Sequence, residues 1–208
     1  MLALTAVLFF SSCEKKPGDI HEAARRGDLE TARQMLTADP GAVDKADERG
    51  YMPIHLASEA GNDQVVQFLI ESGATPDAEG PGGLTPLHLA ALGGHHPVAK
   101  LLLDKGADPG ATDQSEYTPL HNGAYCGDSA TVSLLIEKGS PVNHKGIDGQ
   151  TPLHLAVTMG HLKVASILID KGAEVNEKTG EGHTPLNIAL TLLNDEMAEL
   201  LKKHGGTR

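Results

Sequence analysis

The hexapeptide TPLHLA at 151–156 decides the fold, because versions of it recur along the chain at a fixed interval. An identical copy stands at 85–90, and related copies read MPIHLA at 52–57, TPLHNG at 118–123 and TPLNIA at 184–189. Each copy begins 33 residues after the one before. A repeat of this length is typical of proteins built by stacking similar units rather than around one conventional core.

Each period contains the signals for two short helices. In the copy at 151–156, Thr151 can cap a helix and Pro152 suits its first position, where a missing N–H costs nothing. Gly160 then ends this helix, and Gly172 ends a second one. Helices of about 8–10 residues do not persist alone in water, so the units must be stabilised by stacking on their neighbours.

The period and the motif resemble those of the ankyrin repeat. The further pattern G-H-x-x-V followed by an apolar pair and G-A is present as well, from Gly160 to Ala173. The resemblance covers 19–204 and implies an all-α repeat fold, an ankyrin-repeat α-solenoid of stacked helix-turn-helix units with hairpin-like fingers. The predicted units are 19–50, 51–83, 84–116, 117–149, 150–182 and 183–204, followed by a tail at 205–208.

Four copies carry a histidine in the same phase, which raises the question of a metal or catalytic array. Stacked helices lie about 8–10 Å apart, whereas zinc needs nitrogens ~2.1 Å from one ion, so this column does not chelate. The resemblance implies instead that the histidine forms hydrogen bonds within its turn and joins adjacent units. We therefore expect no metal and no cofactor, and structural roles for Thr85, Pro86, His88, Thr118, Pro119, His121, Thr151, Pro152 and His154.

Catalytic motifs are not evident. His95 and His96 are adjacent but have no third ligand at metal-site spacing, and no nucleophile elbow is present. Cys126 lies in mid-repeat without a placed base, which favours an inert thiol. We expect a non-catalytic protein; a hydrolase or thiol enzyme would have to lose activity on Cys126→Ser or His121→Ala while still folding.

The formal net charge of −11 argues against nucleic acid as a partner, because such binding depends on Lys and Arg contacts to phosphate. It also disfavours adsorption to anionic lipid headgroups and keeps an elongated molecule soluble. The two cysteines, Cys13 and Cys126, are too few for a disulfide framework. We expect a monomer whose partner is another protein.

The first residues differ from the repeats. MLALTAVLFFSSC is an apolar run, two serines and a cysteine, and it resembles a bacterial lipoprotein signal, which is cut just before the cysteine that is acylated. The resemblance implies a signal peptide at 1–12, lipidated Cys13 as membrane anchor, a tether at 13–18, and a place in the cell envelope facing the periplasm or exterior. Phe10 stands where Leu is usual, and no basic residue precedes the run. A different export signal or a plain apolar tail are the alternatives, and the last would leave the protein cytoplasmic.

Partner-binding positions follow from the resemblance, since ankyrin repeats usually meet partners on their concave face. The positions are the residue before Thr and the residues before the first helix's Gly. A tyrosine before Thr can instead pack locally against its finger, while tyrosine is also common at binding hot spots. Regulation or inhibition of an envelope enzyme, and a cytosolic adaptor, are alternative functions. The predicted binding residues are Tyr51, Glu59, Leu84, Leu92, Tyr117, Tyr125, Gln150, Met159 and His183.

The unit at 117–149 departs most from the pattern. Asn122 and Gly123 replace Leu and Ala inside its first helix, and Glu116 replaces the glycine of the preceding finger. A glycine in mid-helix costs about 1 kcal/mol relative to alanine, and a polar side chain at a core position needs a partner. Either these positions are specialised for function or they are drift in a tolerant array.

Overall fold

The structure is a computed structural model that describes residues 19–208. The predicted signal peptide at 1–12, the tether at 13–18 and the acylated Cys13 lie outside the described residues. In the described part there are twelve α-helices and no β-strand. Short 3-10 segments occupy Pro40–Asp44 and Pro81–Gly83. The helices are α1 Ile20–Arg26, α2 Leu29–Ala38, α3 Pro53–Glu59, α4 Asp63–Glu71, α5 Pro86–Leu92, α6 His96–Asp104, α7 Pro119–Cys126, α8 Ser129–Glu137, α9 Pro152–Thr158, α10 Leu162–Asp170, α11 Pro185–Thr191 and α12 Asp195–Lys203.

The helices stack in two rows. Each odd-numbered helix packs on the next odd-numbered one, and each even-numbered helix on the next even-numbered one. We call the odd-numbered helices the inner helices and the even-numbered ones the outer helices. Consecutive helices also pack as pairs, α1 with α2 through α11 with α12. The predicted all-α repeat solenoid is confirmed, and no helix within 19–208 has the length and apolarity needed to cross a membrane.

The inner helices begin as the sequence dictates. At α5, the Thr85 side chain accepts from the backbone N–H of His88, while the Thr85 N–H donates to His88 Nδ1, 3.1 Å away. Pro86 occupies the first turn, where it has no hydrogen bond to lose. The same reciprocal cap occurs at α7, α9 and α11.

The core is one continuous layer of small and aliphatic side chains between the two rows. Leu87, Leu120 and Leu153 occupy the same phase in three successive units and are completely buried. Among residues 19–208, no phenylalanine or tyrosine is one of the buried residues that form this core. The Tyr51 side chain is partly buried and packs against this core without belonging to it.

The fingers between units are closed hairpin turns. In the finger before α7, Asp113 N–H donates to Tyr117 O and Glu116 N–H donates to Asp113 O, both at 2.9 Å. Neighbouring fingers are joined by single backbone hydrogen bonds, such as Ile147 N–H to Ser115 O at 2.9 Å. Thr207, in the segment predicted to be a tail, donates from its N–H to Asn176 Oδ1, which repeats the bond from Glu174 N–H to Asn143 Oδ1 one unit earlier.

Candidate functional site

The histidine column lies completely inside the stack. His55, His88, His121 and His154 have no solvent exposure. At His88, Nδ1 accepts from Thr85 and Nε2 donates to the carbonyl oxygen of Tyr117 in the next unit, 3.0 Å away. His121 makes the equivalent contacts with Thr118 and with Gln150 O, at 3.0 and 3.3 Å. Each ring therefore connects its own helix cap to a following finger.

Burial decides the protonation of these rings. It lowers the pKa of His55, His88 and His154, and it lowers the pKa of His121 to about 4. The four imidazoles are consequently neutral at pH 7, with one nitrogen accepting and the other donating. Among residues 19–208 no group of three or more His, Cys, Asp or Glu side chains is arranged to hold a metal ion.

A second set of side chains fixes the C-terminal ends of the inner helices. His95 Nε2 donates to Glu59 O at 2.9 Å, and His161 Nε2 donates to Tyr125 O at 3.0 Å. Gly61 leaves room for the first of these rings, since a Cβ there would lie 2.6 Å from His95 Nδ1. The helix ends that carry Glu59 and Tyr125 are therefore held in place by the following unit.

The predicted binding residues divide by exposure. Tyr51, Leu84, Tyr117 and Gln150 precede inner helices and are only partly exposed. The exposed members are Glu59, Leu92, Tyr125, Met159 and His183. The partly exposed residues lie where the fingers lead into the inner helices, whereas most of the exposed residues lie at the C-terminal ends of those helices.

Tyr117 packs into its surroundings more than its position in the sequence suggests. Its ring stacks on His121 with 4.9 Å between centroids and 12° between planes. The ring also lies against Gly146 of the next finger, where a Cβ would come within 2.1 Å of it. The hydroxyl donates to Asp148 Oδ2 at 2.7 Å. Burial, followed by the hydrogen bond to Asp148 and then by the charge of that carboxylate, raises the pKa of Tyr117. This geometry agrees with local finger packing, the alternative to a role in binding.

An apolar ridge runs along the ends of the inner helices. It consists of Leu92, Tyr125, Met159 and Leu192, which are 42%, 47%, 42% and 50% exposed. Each lies within one residue of the end of α5, α7, α9 or α11. The earlier helix α3 ends instead in Glu59. The ridge thus covers the second part of the solenoid only.

Sequence reasoning missed further exposed apolar side chains. Ile147 at a finger tip is 73% exposed, and Leu193 beside the ridge is 86% exposed. Leu193 has φ of 56° and stands where Gly61, Gly94 and Gly160 follow other inner helices. The sequence could have indicated this exposed residue, because a leucine stands at a turn position where other units have glycine.

A cavity of about 320 Å³ opens beside the ridge. Its lining includes Leu155, which is 8% exposed, and Asn122, whose buried Oδ1 has no hydrogen-bond partner among the described residues. Asn122 departs from the repeat pattern in the sequence, but its place beside Leu155 emerges only from the stacking of α7 and α9. The lining residues are Leu92, Tyr117, His121, Asn122, Tyr125 and Leu155.

Stacked helix pairs, reciprocally capped Thr-Pro turns and closed fingers define an α-helical repeat protein. The family model described as ankyrin repeats (3 copies) matches residues 20–113 and 120–207, and the chain belongs to this family.

Curated relatives match shorter stretches. The DNA-binding protein RFXANK of Homo sapiens is 40% identical over 57 residues, which make up 27% of this chain and 22% of that protein. The BTB/POZ domain-containing protein 3 of Schizosaccharomyces pombe is 35% identical over 71 residues, which make up 34% of this chain and 14% of that protein. The transient receptor potential cation channel subfamily A member 1 of Homo sapiens is 34% identical over 70 residues, which make up 33% of this chain and 6% of that protein. The matched stretches cover less than a quarter of each relative.

Proposed function

We propose that the protein is a non-catalytic protein–protein interaction module of six ankyrin repeats that binds its partner through the apolar ridge. Ankyrin-repeat proteins are generally modules of this kind, and the family match supports the proposal. The name of one relative describes DNA binding by that protein. The net charge of −11 disfavours phosphate contacts in this chain, so a protein partner is the better assignment.

The observation that carries the proposal is the alignment of exposed apolar side chains. Single exposed leucines are ordinary on protein surfaces, but a contiguous apolar patch marks an interaction site. With inner helices stacked at roughly 8–10 Å, the four ridge residues extend over ~30 Å. Tyr125 lies in this row with 47% of its surface exposed, and tyrosine is among the residues enriched at binding hot spots.

The test is crosslink capture of the partner from membrane and soluble fractions by the wild type and by a ridge variant, Leu92→Ala/Tyr125→Ala/Met159→Ala. A control variant changes three exposed residues of the outer helices, Gln67→Ala/Lys163→Ala/Glu199→Ala. We expect the wild type and the control to capture the same partner and the ridge variant to lose it. Equal capture by all three proteins would move the binding surface elsewhere.

We further propose that the protein is exported and anchored to the membrane through an acylated Cys13. The apolar run before Ser11, Ser12 and Cys13 supports this proposal. Metabolic labelling with an alkyne fatty acid should mark the wild type but not Cys13→Ser. An unprocessed, unlabelled wild-type protein in the cytosol would support the alternative of a cytosolic adaptor.

A further inference from the structure

The apolar ridge repeats at the spacing of the stacked units, because Leu92, Tyr125, Met159 and Leu192 belong to successive units. Inner helices stack at roughly 8–10 Å, so a segment that fits the ridge presents one apolar side chain at about this interval. Seven residues of an α-helix rise about 10.5 Å and make nearly two full turns, which returns the side chain to the same side. A helix with apolar residues at every seventh position therefore meets one ridge residue in each unit.

A row of carboxylates lies along the fingers, at the opposite end of the inner helices. Glu116, Asp148 and Glu181 are all exposed. The Asp148 carboxylate accepts from the hydroxyl of Tyr117, whose side chain also lines the cavity beside the ridge. Among residues 19–208 the lysine and arginine ion pairs involve other carboxylates. The finger row therefore favours a partner that carries lysine or arginine.

The ridge and the finger row are separated by the length of an inner helix. α5 and α9 have seven residues and α7 has eight, which at 1.5 Å per residue is about 10–12 Å. An α-helix with its side chains is also about 10–12 Å in diameter, so one helix laid across the inner helices reaches both rows. The cavity lies between the rows, since its lining includes Tyr117 beside the finger end of α7 and Tyr125 at the ridge end.

Other peptide conformations fit less of this surface. An extended strand directs side chains to one side at intervals of about 6.6–6.8 Å, which does not match the ridge. A polyproline II helix repeats every three residues, or about 9.3 Å, and so fits the ridge alone. The distance between the two rows favours the α-helix, and tolerance of proline distinguishes the two kinds of helix.

The two ends of the ridge differ in charge. Glu59 holds the position of Leu92 one unit earlier, and its side chain is exposed. A helix that continues for seven more residues beyond Leu92 therefore meets a carboxylate, which favours lysine or arginine there. At the other end Leu192 is followed by Leu193, which is 86% exposed. That end favours apolar residues.

We propose that the partner presents a basic amphipathic α-helix that lies along the inner helices. Its apolar residues, at every seventh position, contact the ridge, and its lysine or arginine residues face Glu116, Asp148 and Glu181. Four anchors at this spacing take up about 22 residues. The inference rests on the proposed function, because it names the element by which a partner on the ridge is recognised.

The test uses phage display of random peptides of about 30 residues, long enough for four anchors seven residues apart, selected against the full-length protein. We expect the selected peptides to share an apolar residue at every seventh position, with lysine or arginine between. A proline in the middle of such a peptide, on the side away from the ridge, should weaken binding more than about tenfold, because it breaks an α-helix. Peptides without this repeat, peptides that tolerate the proline, or no selected peptide at all would each overturn the helix.

The charge on the fingers is tested with the variant Glu116→Lys/Glu181→Lys. A matched control, Glu137→Lys/Glu199→Lys, makes the same change of net charge at exposed residues of the outer helices. We expect the finger variant to bind the selected peptides about threefold to thirtyfold more weakly than the wild type, and the control to bind nearly as the wild type does. Equal binding by the two variants would overturn the placement of the basic face on the fingers.

The ridge variant separates this inference from the proposed function. Selected peptides that fail to bind Leu92→Ala/Tyr125→Ala/Met159→Ala but lack the seven-residue repeat would overturn the helix and leave the ridge as the binding surface. Selected peptides of any pattern that bind this variant as tightly as the wild type would instead count against the proposed function.

Discussion

Gly123 lies in the middle of α7 with a helical backbone and with room for a methyl group. A Cβ there would contact Val132 Cγ2 at 3.4 Å and Leu135 Cδ1 at 3.6 Å, which are ordinary van der Waals distances. We expect Gly123→Ala to raise the free energy of unfolding by about 1 kcal/mol, because alanine loses less backbone entropy in a helix. Urea denaturation of the purified protein measures the change.

Gly139 provides the matched control, since the same substitution there should have the opposite sign. A Cβ at Gly139 would meet no atom within 4 Å, but φ is 97°, a conformation that disfavours any side chain. Gly139→Ala should therefore lower the free energy of unfolding by about 1 kcal/mol. Equal effects of the two substitutions would show that backbone conformation is not what separates these glycines.

Glu116 occupies a left-handed backbone position that four other fingers fill with glycine. Its φ is 60°, against 89°, 75°, 77° and 83° for the equivalent glycines at 50, 83, 149 and 182. We expect Glu116→Gly to stabilise the protein by about 1 kcal/mol, because the strain of a Cβ at positive φ is removed. The Glu116→Ala control keeps that strain and should show no such gain when both are compared by thermal unfolding.

The sequence shows that Asn122, Gly123 and Glu116 depart from the repeat pattern, but it does not show how each of them fits its surroundings in the structure. The pattern could not distinguish a glycine that leaves ordinary van der Waals space, as at 123, from an asparagine that lines a cavity, as at 122. That difference depends on what α8 and α9 place opposite the two residues. Periodicity predicts which helices are neighbours, but it does not predict how side chains fill the space between them.

At the scale of elements, His121 joins the cap of α7 to the next finger, and the two roles can be separated. The last inner helix, α11, uses Asn187 for the cap alone, with Thr184 N–H donating to Asn187 Oδ1 at 3.0 Å. We expect His121→Asn to cost about 1–2 kcal/mol, because the bond to Gln150 O is lost while the cap is kept. His121→Ala should cost about 3 kcal/mol or more, since cap, bond and packing are all lost. Chemical denaturation that gave both variants the same loss would contradict this division.

The inner helices could be predicted closely because their start and stop signals are local: Thr and Pro before, Gly after. The roles of two tyrosines could not be separated in the same way. Tyr117 is held by Gly146 and Asp148, which are about one repeat away, whereas Tyr125 has 47% of its surface exposed. The sequence shows only that both residues are tyrosines at predicted binding positions of the same unit. The packing of adjacent fingers is what shows that Tyr117 is held locally and Tyr125 is exposed.

At the scale of the whole molecule, the buried histidines make stability depend on pH. Their ordinary pKa is 6.5, and burial in the folded state lowers it at all four positions, to about 4 at His121. Below pH 6.5 the unfolded chain therefore binds more protons than the folded one, so stability falls as pH falls. His121 alone should contribute a loss of about 3 kcal/mol by about pH 4, at 1.36 kcal/mol for each pKa unit.

Urea midpoints between pH 7 and pH 4.5 measure this dependence. The His121→Asn variant should show a shallower loss than the wild type, because asparagine does not titrate. Carboxylates act mainly at lower pH: burial favours a higher pKa for Asp148, but hydrogen bonds from Tyr117 and Gln150 lower it overall. A wild-type midpoint that stays constant over this range would contradict the neutral, buried state of the histidine column.

Binding through the apolar ridge is the central claim about the molecule, and site-specific photo-crosslinking tests it most directly. A benzoylphenylalanine replaces either Tyr125 on the ridge or Lys163, an exposed residue of the outer helix α10. Irradiation in cells should give one discrete crosslinked protein from position 125 and none from position 163. A crosslink to the same protein from position 163 with none from position 125 would contradict the account and place the partner on the outer helices.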